Sequence, residues 1–149
     1  MLVAGASAVA INELLPRQSL TADESLLSDN CLAKLTMQGS DGNLVLRNNV
    51  GTVLWASYTT GFPGSQVTLQ SDGNLVVYDR SGQARWSTGT AGQSITQAML
   101  QDDCNFVLYV NDNPVWFTGT TCGNPGVLLC EGVYVDNTGE TDASAQFQV

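Results

Sequence analysis

Gln70-Ser71-Asp72-Gly73-Asn74-Leu75-Val76-Val77-Tyr78 places a tight polar turn between two apolar runs. Asp-Gly in that setting is a strong hairpin signal. Upstream, Val67-Thr68-Leu69-Gln70 reads as one strand, and Leu75-Val76-Val77-Tyr78 reads as its partner. Downstream, Asp79-Arg80-Ser81-Gly82 is a second turn cluster, and Ala84-Arg85-Trp86-Ser87 a third strand. The unit recurs. Asp41-Gly42-Asn43, Asp72-Gly73-Asn74 and Asp103-Cys104-Asn105 stand 31 residues apart. Trp55, Trp86 and Trp116, the only three tryptophans, follow them at spacings of 31 and 30.

That repeat sets the expected fold. Three short strands per unit with no helical period predict an all-β domain of roughly 10 to 12 strands. One such sheet is too small to stand alone. Three sheets can bury their apolar faces against a shared axis, with the tryptophans as its filling. A 31-residue unit fits a three-sided prism better than a trefoil barrel, whose units are longer. The expected domain is 12–136, with repeats at about 32–62, 63–93 and 94–124. Asn12 to Asn30 holds short strand candidates such as Ser25-Leu26-Leu27. Val127-Leu128-Leu129 and Val133-Tyr134-Val135 also read as strands. The stretch 137–149 is a polar tail or a strand donated to a partner. Residues 1–11 form an N-terminal extension. Its apolar start, MLVAGASAVA, is either the remnant of a trimmed secretion signal or a frayed end, and is too short to span a bilayer.

Composition removes several function classes. Lys plus Arg number 5 against 14 Asp plus Glu, a net charge of −9. Nucleic-acid phosphates need a basic face, and so do anionic membrane surfaces, so neither partner is expected. No other apolar run approaches the ~18 residues of a membrane helix, so no membrane insertion is expected. The absence of His removes the usual general base and the commonest metal ligand. Cys31, Cys104, Cys122 and Cys130 contain no CxxC pair, which disfavours zinc, and an even count in a loop-rich chain favours disulfides. Four cysteines allow three pairings, and spacing alone does not choose among them. No metal and no cofactor are expected.

Two copies share five side chains in register: Gln70, Asp72, Asn74, Val76 and Tyr78, then Gln101, Asp103, Asn105, Val107 and Tyr109. This QxDxNxVxY pattern resembles the signature of the bulb-type (monocot) mannose-binding lectins, and the similarity covers roughly residues 12–122. The resemblance implies β-prism II, with three antiparallel sheets of about four strands and pseudo-threefold symmetry. It implies a calcium-independent, multivalent lectin for mannose and high-mannose glycans or glycoproteins. By the same resemblance the Asp and Asn take the axial 2-hydroxyl, Gln the 3-hydroxyl and Tyr the 4-hydroxyl, while Val packs on the ring. The chemistry is sound independently. A sugar offers hydroxyls that donate and accept above a small apolar patch, and these side chains supply acceptors, donors and one apolar contact. The resemblance also implies a homodimer by exchange of C-terminal strands, and a disulfide from Cys104. Cys122 fits as its partner and Cys130 is possible; with Cys122 taken, Cys31 pairs with Cys130. A secreted or extracellular protein is the expectation, in keeping with disulfide use.

Local geometry sharpens the expectation. Asn74, Val76 and Tyr78 alternate onto one face. Gln70 joins them if Ser71–Gly73 is a three-residue loop with Gly73 left-handed. Cys104 holds the Gly position in the third copy, where a left-handed backbone costs about 1–2 kcal/mol unless a disulfide or a different loop relieves it. The first copy departs. Gly39 is inserted before Ser40-Asp41-Gly42-Asn43, and Arg47 stands where Tyr is expected. One added loop residue is expected to turn Gln38 to the other face. The first set, Gln38, Asp41, Asn43, Val45 and Arg47, is therefore expected to be weak or inactive, or to serve a different ligand through Arg47.

Three rival functions fit less well. A glycoside hydrolase needs two carboxylates converging within about 5–9.5 Å, and each motif supplies one. A calcium loop counted from Asp72 meets Val76 at its fifth position and Gln83 at its twelfth, which are not ligands of that loop. A lectin fold acting through protein contacts alone, as a toxin-like or defence protein, would not need two intact motifs.

Overall fold

The computed structural model describes residues 11–126. Among them are twelve strands and no helix: β1 (Glu13–Leu14), β2 (Ser19–Leu20), β3 (Ser25–Leu27), β4 (Ala33–Met37), β5 (Leu44–Asn48), β6 (Val53–Ala56), β7 (Gln66–Leu69), β8 (Leu75–Tyr78), β9 (Ala84–Ser87), β10 (Gln97–Leu100), β11 (Phe106–Val110) and β12 (Asn113–Phe117). They form three four-stranded antiparallel sheets ordered β3-β4-β5-β6, β2-β7-β8-β9 and β1-β10-β11-β12. This is the expected all-β, three-sided prism.

Nine strands come from the repeating units and three from the segment ahead of them. Leu14, Leu20 and Leu26 recur every six residues and are 2%, 0% and 0% exposed. Each heads for a different sheet: β1 pairs with β10, β2 with β7 and β3 with β4. The leading segment thus runs once around the prism and gives every sheet its fourth strand. Two-residue strands leave too little alternation for their bounds to be read from sequence.

Alternation explains the core. Along β4, Ala33, Leu35 and Met37 are buried while Lys34 and Thr36 face outward. Leu44 and Leu46, Leu75 and Val77, and Phe106 and Leu108 complete the inner faces. Each tryptophan lies opposite an inward residue: Trp55 opposite Leu46, Trp86 opposite Val77 and Trp116 opposite Leu108. The three rings therefore meet. Their centroids are 5.3, 6.0 and 5.7 Å apart, all edge to face. Such pairs add about 0.5–1.5 kcal/mol each beyond area burial. The tryptophans fill the common axis, as their spacing suggested. The strand expectations at 127–129 and 133–135 and the tail at 137–149 lie outside the described residues.

Candidate functional site

Every sheet carries a register irregularity at the same point. It falls between Leu46 and Arg47, between Val77 and Tyr78, and between Leu108 and Tyr109. A bulge re-aims the side chain beside it. Here that side chain is the last residue of each motif.

In the second copy the polar side chains form a chain of hydrogen bonds. The Tyr78 hydroxyl donates to Gln70 Oε1. Gln70 Nε2 donates to Asp72 Oδ1 and Oδ2 at 3.1 and 3.2 Å. Asp72 Oδ1 also accepts from the Asn74 backbone N–H at 2.9 Å. The third copy repeats this with Tyr109, Gln101, Asp103 and Asn105 at 3.1, 3.2 and 2.9 Å. The Asn74 N–H and then the Gln70 amide hold the Asp72 carboxyl below its ordinary value. Val45, Val76 and Val107 are only 2%, 3% and 2% exposed, so each is a nearly closed apolar floor.

A second motif, not recognised in the sequence reading, holds the Asn. Asn74 Oδ1 accepts from Thr88 Oγ1 and the Thr90 N–H, both at 3.2 Å, and Thr90 Oγ1 donates to the Gly73 carbonyl at 2.6 Å. Asn105 is held alike by Thr118 and Thr120, with Thr120 Oγ1 on the Cys104 carbonyl at 2.6 Å. Asn43 is held by Ser57 and Thr59, with Thr59 Oγ1 on the Gly42 carbonyl at 2.6 Å. The signal was present: a hydroxyl residue stands two positions after each Trp and a Thr four positions after it. With its carbonyl occupied, Asn74 keeps an Nδ2 amide without a partner among the described residues. Each intact copy therefore presents a fixed amide donor, a carboxylate acceptor and a hydroxyl within one short arc, an arrangement suited to a ligand dense in hydroxyls.

The first copy corrects an expectation. Gln38 is not turned away. Its Nε2 donates to Asp41 Oδ1 and Oδ2 at 3.0 and 3.1 Å, and its Oε1 accepts from Arg47 Nη1 at 2.8 Å. The inserted residue stays outside the ladder, because Met37 still pairs with Leu44 and the Gln38 N–H still meets the Asn43 carbonyl. Gly39 takes up the extra length. Its N–H donates to Asp23 Oδ1 at 2.9 Å, and its carbonyl accepts from the Gly64 N–H at 2.8 Å. A β-carbon on Gly39 would lie 2.8 Å from Ala22 Cβ, so the loop has room there for glycine only. Arg47 thus occupies the Tyr role as donor to the Gln carbonyl.

The third turn keeps the left-handed residue without glycine. Gly73 has φ 91° and Cys104 has φ 69°. Cys104 is bonded to Cys122, with Cα atoms 5.1 Å apart. Cys31 is also disulfide-bonded, while Cys130, its expected partner, lies outside the described residues. Beside Tyr78 lies a shallow cavity of about 420 Å³ lined by Gly64, Gln66, Tyr78, Asp79, Arg80 and Gly82. Its Asp79 is held ionised by Ser81, Gln83 and Arg85, well below the usual carboxylate range, and forms the one salt bridge among the described residues, to Arg85 at 2.8 Å. Burial lowers the Lys34 ammonium. No cluster of three or more His, Cys, Asp or Glu that could hold a metal exists among the described residues.

A scan of protein-family models gives no match, and a search of curated proteins gives none. Solved structures do match. A monomeric monocot mannose-binding lectin from Gastrodia elata is 35% identical at TM-score 0.66, over 74% of this chain and 98% of that one. Polygonatum cyrtonema lectin, solved with monomannoside, is 38% identical at TM-score 0.61, over 78% and 100%. The mannose-specific agglutinin of snowdrop (Galanthus nivalis) bulbs, solved with methyl-α-D-mannoside, is 35% identical at TM-score 0.62, over 77% and 99%. Three matching sheets and nearly full coverage of these proteins place the chain: it belongs to the bulb-type monocot mannose-binding lectins, a family of non-enzymatic carbohydrate-binding proteins.

Proposed function

We propose that the chain binds mannose and mannose-rich glycans, without calcium, through two sites: Gln70, Asp72, Asn74, Val76 and Tyr78, and Gln101, Asp103, Asn105, Val107 and Tyr109. The observation that carries this reading is the identical Tyr–Gln–Asp–Asn hydrogen-bond chain in both copies. Its members are oriented before any ligand arrives, which spares ordering cost on binding. The relatives solved with mannosides support the sugar class. Shallow single sites bind one sugar weakly, and two on different faces gain strength by engaging a branched glycan together. Secretion and a homodimer belong to the same reading, the first supported by the Cys104–Cys122 disulfide.

The test is a mannose titration of the wild type beside Asp72→Ala, Asp103→Ala and Asp41→Ala, with and without a chelator. Each of the first two variants is expected to lose one class of site, and Asp41→Ala to leave mannose affinity within about twofold. Loss confined to Asp41→Ala, or abolition by the chelator, overturns the proposal.

A further inference from the structure

The first copy is altered at two points, and both alterations sit on one site. Arg47 replaces Tyr78 and Tyr109, yet it keeps their bond to the motif Gln. A guanidinium has five N–H donors. Among the described residues only Nη1 is engaged, so the rest of the fork is available to a ligand. The residue facing Arg47 across the ladder is Lys34, where the other copies set Gln66 against Tyr78 and Gln97 against Tyr109. Two of the five cationic side chains of a −9 chain thus lie side by side on this face.

The second alteration is Tyr58. It occupies the place of Gly89 and Gly119 between the two residues that hold the motif Asn. Those glycines have φ 71° each, and Tyr58 keeps the same left-handed backbone at φ 57°. A β-carbon disfavours that conformation. The side chain gains no burial in return, being 89% exposed. Residues held in such a conformation cluster at ligand-binding sites, and the exposed ring is open to solvent at this place. Tyr58 therefore stands at the Asn43 end of the site and Arg47 at the other, with Gln38 and Asp41 between them.

We propose that this first site takes a saccharide that carries an anionic group, with Arg47 pairing with the anion and the Tyr58 ring lying against sugar carbons. The inference rests on the lectin reading above. A planar fork suits a carboxylate and a phosphate or sulfate ester alike. The shared chemistry is a mannose-type ring bearing one anionic group.

The experiment uses the full chain with the other two sites disabled by Asp72→Ala and Asp103→Ala. Mannose, mannuronate, mannose 6-phosphate and inorganic phosphate are titrated by calorimetry at low and high salt. At least one of the two anionic sugars is expected to bind about tenfold tighter than mannose, with the advantage shrinking as salt rises. Which of them binds assigns the source of the anion. Arg47→Gln should abolish the preference. Arg47→Tyr, which restores the motif and guards against a folding defect in the first variant, should reverse it toward mannose. Tyr58→Gly should weaken the preferred anionic sugar several-fold without lowering the melting temperature. Equal affinity for charged and neutral sugar, insensitivity to Arg47→Gln, or the preferred anionic sugar binding no better than inorganic phosphate overturns the inference. Should the unmodified chain bind mannose in the same series, the lectin reading survives that result. Should it bind neither mannose nor branched mannosides, the lectin reading itself has failed.

Discussion

The second and third turns reach one backbone shape by different means. Both close three-residue loops, with the Gly73 N–H on the Gln70 carbonyl at 3.0 Å and the Cys104 N–H on the Gln101 carbonyl at 2.9 Å. Both need a left-handed residue before the Asn. In the second turn the loop that follows lies against the glycine, and an added β-carbon would fall 1.9 Å from the Gln93 carbonyl oxygen. The first turn is built the same way, with the Phe62 carbonyl oxygen 2.0 Å from a β-carbon on Gly42. In the third turn a side chain fills that space and is tied to Cys122. A conformation that one copy holds by absence of a side chain is held in another by a covalent bond. The binding chain above the turn is the same in both, so the site depends on the turn's shape and not on how it is secured.

The largest effect should come from Gly73→Ala. A left-handed alanine with a backbone overlap is expected to cost roughly 2–5 kcal/mol and to remove the second site. Thermal melting and mannose titration check it; a variant as stable as wild type would break the comparison. Next is Cys104→Ala, which opens a disulfide spanning 18 residues and leaves the strained backbone. About 3 kcal/mol should be lost, with the third site weakened and the second unchanged. Converting the third turn to the chemistry of the second, by Cys104→Gly with Cys122→Ser, should recover about 1 kcal/mol of that loss.

The hydroxyls that clasp the turns give a smaller contrast. Thr90 is buried at 3% exposure, whereas Thr120 is half-buried. Thr90→Val leaves the Gly73 carbonyl without its 2.6 Å bond and should cost about 1–2 kcal/mol, against under about 1 kcal/mol for Thr120→Val, where water can substitute. Denaturant unfolding of both variants decides it. Smallest is the acid response of the second turn. Asp72 is depressed when folded, so its contribution is present above the ordinary carboxylate value and is lost as pH falls through the folded value. Binding at the second site should stay level from neutral down to about pH 4 and fall only below that. An NMR titration of the Asp72 carboxyl carbon would show its midpoint below that of an unfolded peptide.

Much was legible from the chain itself. The hairpins, the strand faces and the tryptophan axis follow from period-2 alternation and from a repeat of polar turns. Asp72, Asn74 and Tyr78 share a face because alternation demands it. Gln38 was not legible. Counting one extra loop residue predicted a flip, but an insertion can be stored in the loop when its backbone groups find partners. Those partners, Asp23 and Gly64, lie 16 and 25 residues from Gly39 in sequence. The buried state of the motif valines was likewise hidden, since alternation gives a face and not the depth of what covers it.

The sequence by itself determined the β class, the three hairpins and the identity of the side chains that could meet a sugar, because these depend on neighbours within one turn or one strand pair. The tertiary structure alone decided three further things. It decided that a segment of single leucines at six-residue spacing supplies the fourth strand of all three sheets. It decided that Ser57 and Thr59, Thr88 and Thr90, and Thr118 and Thr120 lock each Asn. It decided that Arg47 reaches across the first hairpin to the Gln38 side chain. Each joins groups from separate strands or loops, and whether they touch is set by how the sheets close on the axis.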